Sequence, residues 1–150
     1  MIYIDLPDIL KKLGDSMGME LAFDKEGLCT LLLDGETPVS IRASEEDGTL
    51  TFSAVLRDKL PDPLSYAALL DLLALALDPA PRGGNSPVAG IDQESGFLIL
   101  YEVATPSYLS TTPAVEIFSL FMETYEALAA LLDEPAETSQ SAFVSAMLQV

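Results

Sequence analysis

The segment 64–77 constrains the fold more than any other part of the chain, because it is apolar on two sides of a helix. At 100° per residue its apolar side chains form two stripes: Tyr66, Leu69, Leu70, Leu73 and Leu77 on one face, and Leu64, Ala68, Leu72 and Leu75 on another. A surface helix needs only one apolar stripe. Since each fully buried leucine contributes roughly 1.5–3 kcal/mol, both stripes are expected to be covered.

The two stripes require two surfaces to cover them. One can be the chain's own sheet, and in a chain of 150 residues the other is most simply a second copy of the protein. We therefore predict a homodimer through this helix, with Leu64, Ala68, Leu72 and Leu75 at the interface. A central helix buried within one subunit is the alternative that the pattern leaves open.

An earlier segment carries the start and stop signals of an amphipathic helix. Asp5 is an N-cap residue followed by Pro7 in the first turn, and Gly18 can end the helix in a left-handed conformation. Apolar side chains recur at helical spacing between these ends, at Leu6, Ile9, Leu10, Leu13 and Met17. The stripe is either ordinary core or a binding surface.

Short apolar or alternating runs separated by tight turns predict an antiparallel meander at 19–23, 28–33, 39–43 and 50–56, with Asp34-Gly35 as a hairpin turn. A second hairpin is predicted over 88–92 and 97–103, and a third helix from Thr112-Pro113 to Leu132. The fold class is therefore α+β. It has an antiparallel twisted sheet of about five to six strands and three helices, in the order α-β-β-β-β-α-β-β-α.

The length fits one domain, 1–150, with no linker inside it. The stretch 78–87 is rich in proline and glycine and predicts a loop, to which we assign no function. The residues 134–150 form a tail that is expected to be flexible. Its weak apolar set predicts either a short docking helix or a frayed end, and consists of Phe143, Val144, Met147 and Leu148.

The charge balance excludes several classes of partner. There are 24 acidic and 7 basic residues, a formal net charge of −17. Such a surface repels nucleic-acid phosphates and anionic lipid, so no nucleic acid and no membrane insertion are expected. High negative charge also keeps a protein with exposed apolar surface in solution. The first residues carry no signal-peptide pattern, and we expect a cytoplasmic location.

The residue types that catalysis and metal binding most often use are scarce. The sequence has no histidine and a single cysteine, Cys29, in a predicted buried strand. This removes histidine-based triads and zinc sites, and neither a P-loop nor a dinucleotide-binding glycine motif is present. We expect no enzymatic activity, no metal and no cofactor.

The order of elements, together with local motifs between residues 10 and 35, resembles the class I chaperones of type III secretion systems, the Tir-chaperone-like family. The motifs are Leu10-x-x-Leu13-Gly14, Met17-Gly18-Met19-x-Leu21, Phe23-Asp24-x-x-Gly27-x-Cys29-x-Leu31 and Asp34-Gly35. The rest of the chain matches in architecture, size and acidity.

The resemblance implies a homodimer that binds the N-terminal region of a secreted effector in extended form and keeps it soluble and secretion-competent. It implies client contact by side chains of the first helix and the sheet, namely Leu10, Leu13, Met17, Phe23, Leu31, Leu33 and Ile41. An alternative function with the same fold is a regulator that sequesters a transcription factor or another chaperone.

Overall fold

The computed structural model describes residues 4–75 and 87–133. Nine elements follow one another along these residues: α1 (Leu6–Met17), β1 (Leu28–Leu33), β2 (Thr37–Ser44), β3 (Thr49–Arg57), α2 (Tyr66–Ala74), β4 (Val88–Ile91), β5 (Leu98–Ala104), α3 (Pro106–Thr111) and α4 (Ala114–Leu132). This confirms the α+β class. The described part has five strands and four helices, one helix more than predicted. The tail 134–150 and almost all of the loop 78–87 lie outside it.

The sequence signals at both ends of α1 are confirmed. The side chain of Asp5 accepts a hydrogen bond from the backbone N–H of Asp8, and Pro7 occupies the first turn. Gly18 ends the helix at φ 69°, a left-handed conformation that glycine adopts without steric cost. The buried residues Leu6, Leu10 and Leu13 fix which face of α1 packs inward.

The five strands form one antiparallel sheet in the order β1-β2-β3-β5-β4. The hairpin predicted at Asp34-Gly35 joins β1 to β2, and both residues have positive φ, as the twist of a two-stranded ribbon requires. The hairpin predicted in the second half is β4–β5. The sheet has two edges, β1 on one side and β4 on the other.

One face of the sheet carries the core, and α4 contacts both α1 and α2 on that side. The ring of Phe52 on β3 lies 5.9 Å from that of Phe118 and 6.0 Å from that of Phe121, both on α4. Arg57 fastens the end of α4, because its guanidinium donates to the Ala129 carbonyl at 3.0 Å and pairs with Asp133. Lys and Arg side chains at this end are favoured by the helix dipole.

Three details differ from the sequence prediction. The segment 19–23 has the alternating burial of an extended chain but is not a strand of the sheet. The helix predicted from residue 64 begins at Tyr66, because the N-cap of α2 is Ser65, whose hydroxyl accepts from the Ala68 N–H at 3.1 Å. A separate short helix, α3, precedes α4; Thr105 caps it and Pro106 lies in its first turn. Each difference comes from a local capping or packing contact that hydrophobic spacing does not encode.

Candidate binding site

A groove of about 760 Å³ runs between α1 and the extended segment 18–23. Apolar and charged side chains share its walls. From α1 it is lined by Pro7, Leu10, Lys11 and Asp15, and from the extended segment by Gly18, Met19, Glu20, Leu21, Ala22 and Phe23. A concave, largely apolar surface with a few polar groups is typical of a binding site.

The segment 18–23 is held against α1 by a close backbone approach. The N–H of Met19 donates to the carbonyl of Gly14 at 2.9 Å. A Cβ added to Gly14 would lie only 2.6 Å from the carbonyl oxygen of Met19, so no larger residue fits there without movement. Met19, Leu21 and Phe23 are half-buried and pack against the core, which explains the alternation that resembles a strand.

The backbone of residues 20–23 takes no part in the sheet. Within the described residues, no hydrogen bond joins the backbone of residues 20–23 to another backbone group. Regular pairing resumes at Asp24, whose N–H donates to the carbonyl of Leu28 at 2.9 Å. The carboxylate of Asp24 accepts from the N–H groups of Glu26 at 2.8 Å and Leu28 at 3.0 Å, and so fixes the turn into β1. Residues 20–23 are therefore left without backbone partners, within the described chain, just before the turn into the edge strand β1.

Cys29 lies beside this turn and is buried. Burial raises the pKa of its thiol; a backbone hydrogen bond from Ala22 lowers it, and the Asp24 carboxylate raises it further. A neutral, buried thiol is a packing group and a poor nucleophile.

The structure separates the side chains that the resemblance implied for client contact into two groups. Leu10, Leu13, Leu31 and Ile41 belong to the buried core, although Leu10 also forms part of the groove wall. Met17, Phe23 and Leu33 are partly exposed. Sequence reasoning missed most of the groove, including Lys11, Met19, Glu20, Leu21 and Ala22. Gly14, a glycine inside a predicted helix, was a sequence signal that another part of the chain approaches α1 closely at this position.

The two stripes of α2 are also distinguishable. Ala68 is fully buried, and Leu72 and Leu75 pack against the core, while Leu64 is partly exposed. On the other stripe Leu69, Leu70 and Leu73 are 41%, 47% and 67% exposed. The stripe that faces away from the chain's own core is therefore the one that contains Leu73.

A second, smaller cleft of about 340 Å³ lies on the other flank of α1, against the junction of α3 and α4. Its walls include Ile9, Lys12 and Ser16 from α1 and the hydroxyl residues Ser110, Thr111 and Thr112. The side chain of Lys12 is engaged with Asp8 at 3.1 Å. The first helix is thus flanked by a concave surface on each side.

Residues 4–75 and 87–133 contain no group of three or more acidic or cysteine side chains placed to hold a metal ion. Their helices include none with the length and apolar character needed to cross a bilayer.

Comparison with known proteins gives a consistent fold. The chain superposes on a chain of the HopA1–SchA chaperone–effector complex with a TM-score of 0.62 at 18% identity, over 85% of this chain and 92% of the other. It superposes on the Yersinia pestis type III secretion chaperone SycH, solved with a stable fragment of YscM2, with a TM-score of 0.62 at 15% identity. This match covers 85% of this chain and 98% of the other. A chain of the heterodimeric ExoU–SpcU complex of the Pseudomonas aeruginosa type III secretion system matches with a TM-score of 0.58 at 16% identity. This match covers 86% of this chain and 98% of the other.

No curated protein matches the sequence. The sequence model of the Tir chaperone protein (CesT) family matches residues 8–129. This range contains all nine described elements, apart from the first two residues of α1 and the last three of α4. The match spans well over half of the chain, and the protein therefore belongs to the Tir chaperone protein (CesT) family.

Proposed function

We propose that this protein is a type III secretion chaperone that binds the N-terminal region of a cognate effector and keeps it soluble and secretion-competent. Family membership over residues 8–129 supports the function. The observation that carries the proposal is the groove beside α1, where apolar side chains lie together with a stretch of backbone, residues 20–23, that has no backbone partner in the described chain.

The groove suits an extended client for a physical reason. A peptide laid along residues 20–23 can pair with their backbone groups, as in β-strand addition, and these bonds do not depend on the client's side chains. Alternate side chains of such a peptide would enter the groove beside Leu21 and Phe23, and burial of each large apolar side chain contributes roughly 1.5–3 kcal/mol. Backbone pairing with residues 20–23 would supply affinity for any extended peptide, and the groove would select among peptides by their side chains.

The implied client contacts take different parts in this scheme. Met17, Phe23 and Leu33 are exposed enough to touch a client, and Leu10 contributes to the groove wall. Leu13, Leu31 and Ile41 hold α1 and the sheet in place beneath that surface. Substitution of this second group would impair binding through loss of the fold.

The protein works as a homodimer through α2 in this proposal. The interface is centred on the exposed stripe Leu69, Leu70 and Leu73, because much of the surface of these leucines remains open within the described chain. Of the interface residues expected from sequence, Ala68, Leu72 and Leu75 serve as the inner support of the helix, and Leu64 lies at its start. A symmetric pair of α2 helices would remove three leucines per protomer from water.

The protein acts by binding alone, without catalysis or cofactor, in the bacterial cytoplasm, and as a single domain over 1–150. The scarcity of catalytic residue types supports this assignment.

The test is a pull-down of the tagged chain from its own cells under secretion-inducing conditions, with the partners identified by mass spectrometry. We expect one dominant secreted protein, and loss of the interaction when that protein's N-terminal region is removed. Phe23→Asp should abolish capture, whereas Leu32→Asp, on an exposed position of β1, should not. A transcriptional regulator or another chaperone as the dominant partner would contradict the effector assignment.

A further inference from the structure

The charge around the groove contains information about the client that its apolar walls do not. Asp15 and Glu20 are exposed residues of the groove wall, and Asp24 and Glu26 continue the acidic side beyond Phe23. None of these four carboxylates forms an ion pair within the part of the chain that the structure describes, where the ion pairs are Lys12–Asp8 and Arg57–Asp133.

Cations near the groove are fewer than anions. Lys11 is the one basic residue of the groove wall, and Lys25 lies in the turn that follows. The formal charge of the whole chain, −17, has the same sign as this local excess. Charges within about 8 Å of the groove remain effective at physiological ionic strength, so a bound peptide experiences a negative potential along its exposed side.

We infer that the client segment bound in this groove is an extended peptide in which apolar residues alternate with basic ones. In an extended peptide successive side chains point to opposite sides. When one set enters the apolar groove, the other set points outward towards the carboxylates of Asp15 and Glu20. Lysine or arginine at those positions is attracted, and glutamate or aspartate is repelled. This inference rests on the proposed function and names the chemistry of its partner.

The test uses three labelled nine-residue peptides with valine at every second position and lysine, glutamine or glutamate at the others. Binding to the intact chain is measured by fluorescence anisotropy at low and high salt. We expect the affinity order lysine, glutamine, glutamate, and a loss of the lysine peptide's advantage at high salt, because exposed charge pairs are screened.

Charge reversal near the groove provides the matched variants. Asp15→Lys and Glu20→Lys should each weaken the lysine peptide roughly threefold to tenfold, as expected for exposed pairs changed from attraction to repulsion. Lysine at position 15 is compatible with the fold, since it lies in the last turn of α1, where a cation is favoured. Glu94→Lys changes the net charge equally in the β4–β5 turn, next to the opposite edge strand, and should leave the affinity unchanged.

Three outcomes of these binding measurements would contradict the inference or the proposed use of the groove. Equal affinity of the lysine and glutamine peptides overturns the charge inference and leaves the groove as a client site. An equal loss in Glu94→Lys shows attraction by net charge alone and overturns the local assignment. Failure of all three peptides to bind overturns both the inference and the proposed use of the groove.

Discussion

The substitution Leu73→Asp tests the assignment of the dimer interface. Leu73 is the most exposed leucine of α2, at 67%, and Leu69 and Leu70 lie beside it on the same stripe. Covering the exposed part of Leu73 in both protomers is worth about 2–4 kcal/mol, taking 1.5–3 kcal/mol for complete burial of one leucine. Losing this contribution weakens the dimer by roughly 30-fold to 1,000-fold.

Aspartate adds to this loss. In a symmetric pair of helices both copies carry the change, so two carboxylates would be placed in one apolar interface at a further cost. We therefore expect Leu73→Asp to be a folded monomer. Light scattering after size-exclusion chromatography measures the mass, and circular dichroism checks the fold.

Two matched variants make the result specific. Leu32→Asp changes an exposed leucine of β1, 51% exposed, and should leave the dimer intact. Leu72→Asp places a charge on the inner stripe and should lower the melting temperature of the chain itself. A folded Leu73→Asp protein at dimer mass would refute the reasoning, and so would a folded Leu72→Asp monomer with unchanged stability.

Three further predictions concern the core, the groove and the thiol. Phe52→Ala, which removes the ring between Phe118 and Phe121, should cost about 3–5 kcal/mol in denaturant unfolding, and a cost below 1 kcal/mol would contradict the packing described. Gly14→Ala should displace the segment 18–23, since the new Cβ would lie 2.6 Å from the Met19 carbonyl oxygen. Client binding in a pull-down should weaken, while the circular dichroism spectrum of the protein stays the same. Unaltered binding would argue against a fixed groove. Because burial raises the pKa of Cys29, its thiolate fraction at pH 8 is lower in the folded than in the unfolded chain. A thiol reagent should therefore label the native protein more slowly than the unfolded protein. Equal labelling rates would contradict the burial of Cys29.

Sequence reasoning was most successful where a local interaction determines the structure. Asp5, Pro7 and Gly18 specify the ends of α1 through one capping bond, one restricted φ and one positive φ. Asp34-Gly35 specifies a hairpin in the same way, because both residues adopt positive φ. These signals need no knowledge of distant parts of the chain.

Sequence reasoning was less informative where the outcome depends on tertiary contacts. The alternation of Met19, Leu21 and Phe23 correctly indicates an extended chain with one side packed, but a strand also needs a hydrogen-bonded neighbour, and in the described residues this segment packs on α1 instead. The two stripes of α2 are both apolar in sequence, and only the packing of this helix against the core reveals which one is exposed. The groove joins residues of α1 to the next segment through a close approach at Gly14, which hydrophobic spacing does not record.

Hydrogen–deuterium exchange on the protein with and without the N-terminal region of its co-purifying secreted partner tests whether a client binds along residues 20–23. We expect binding to slow exchange at the amides of these residues, whose backbone groups have no backbone partner in the described chain, with little change in the β4–β5 turn. Unchanged exchange at residues 20–23 in a saturated complex would contradict client binding by strand addition in the groove beside α1.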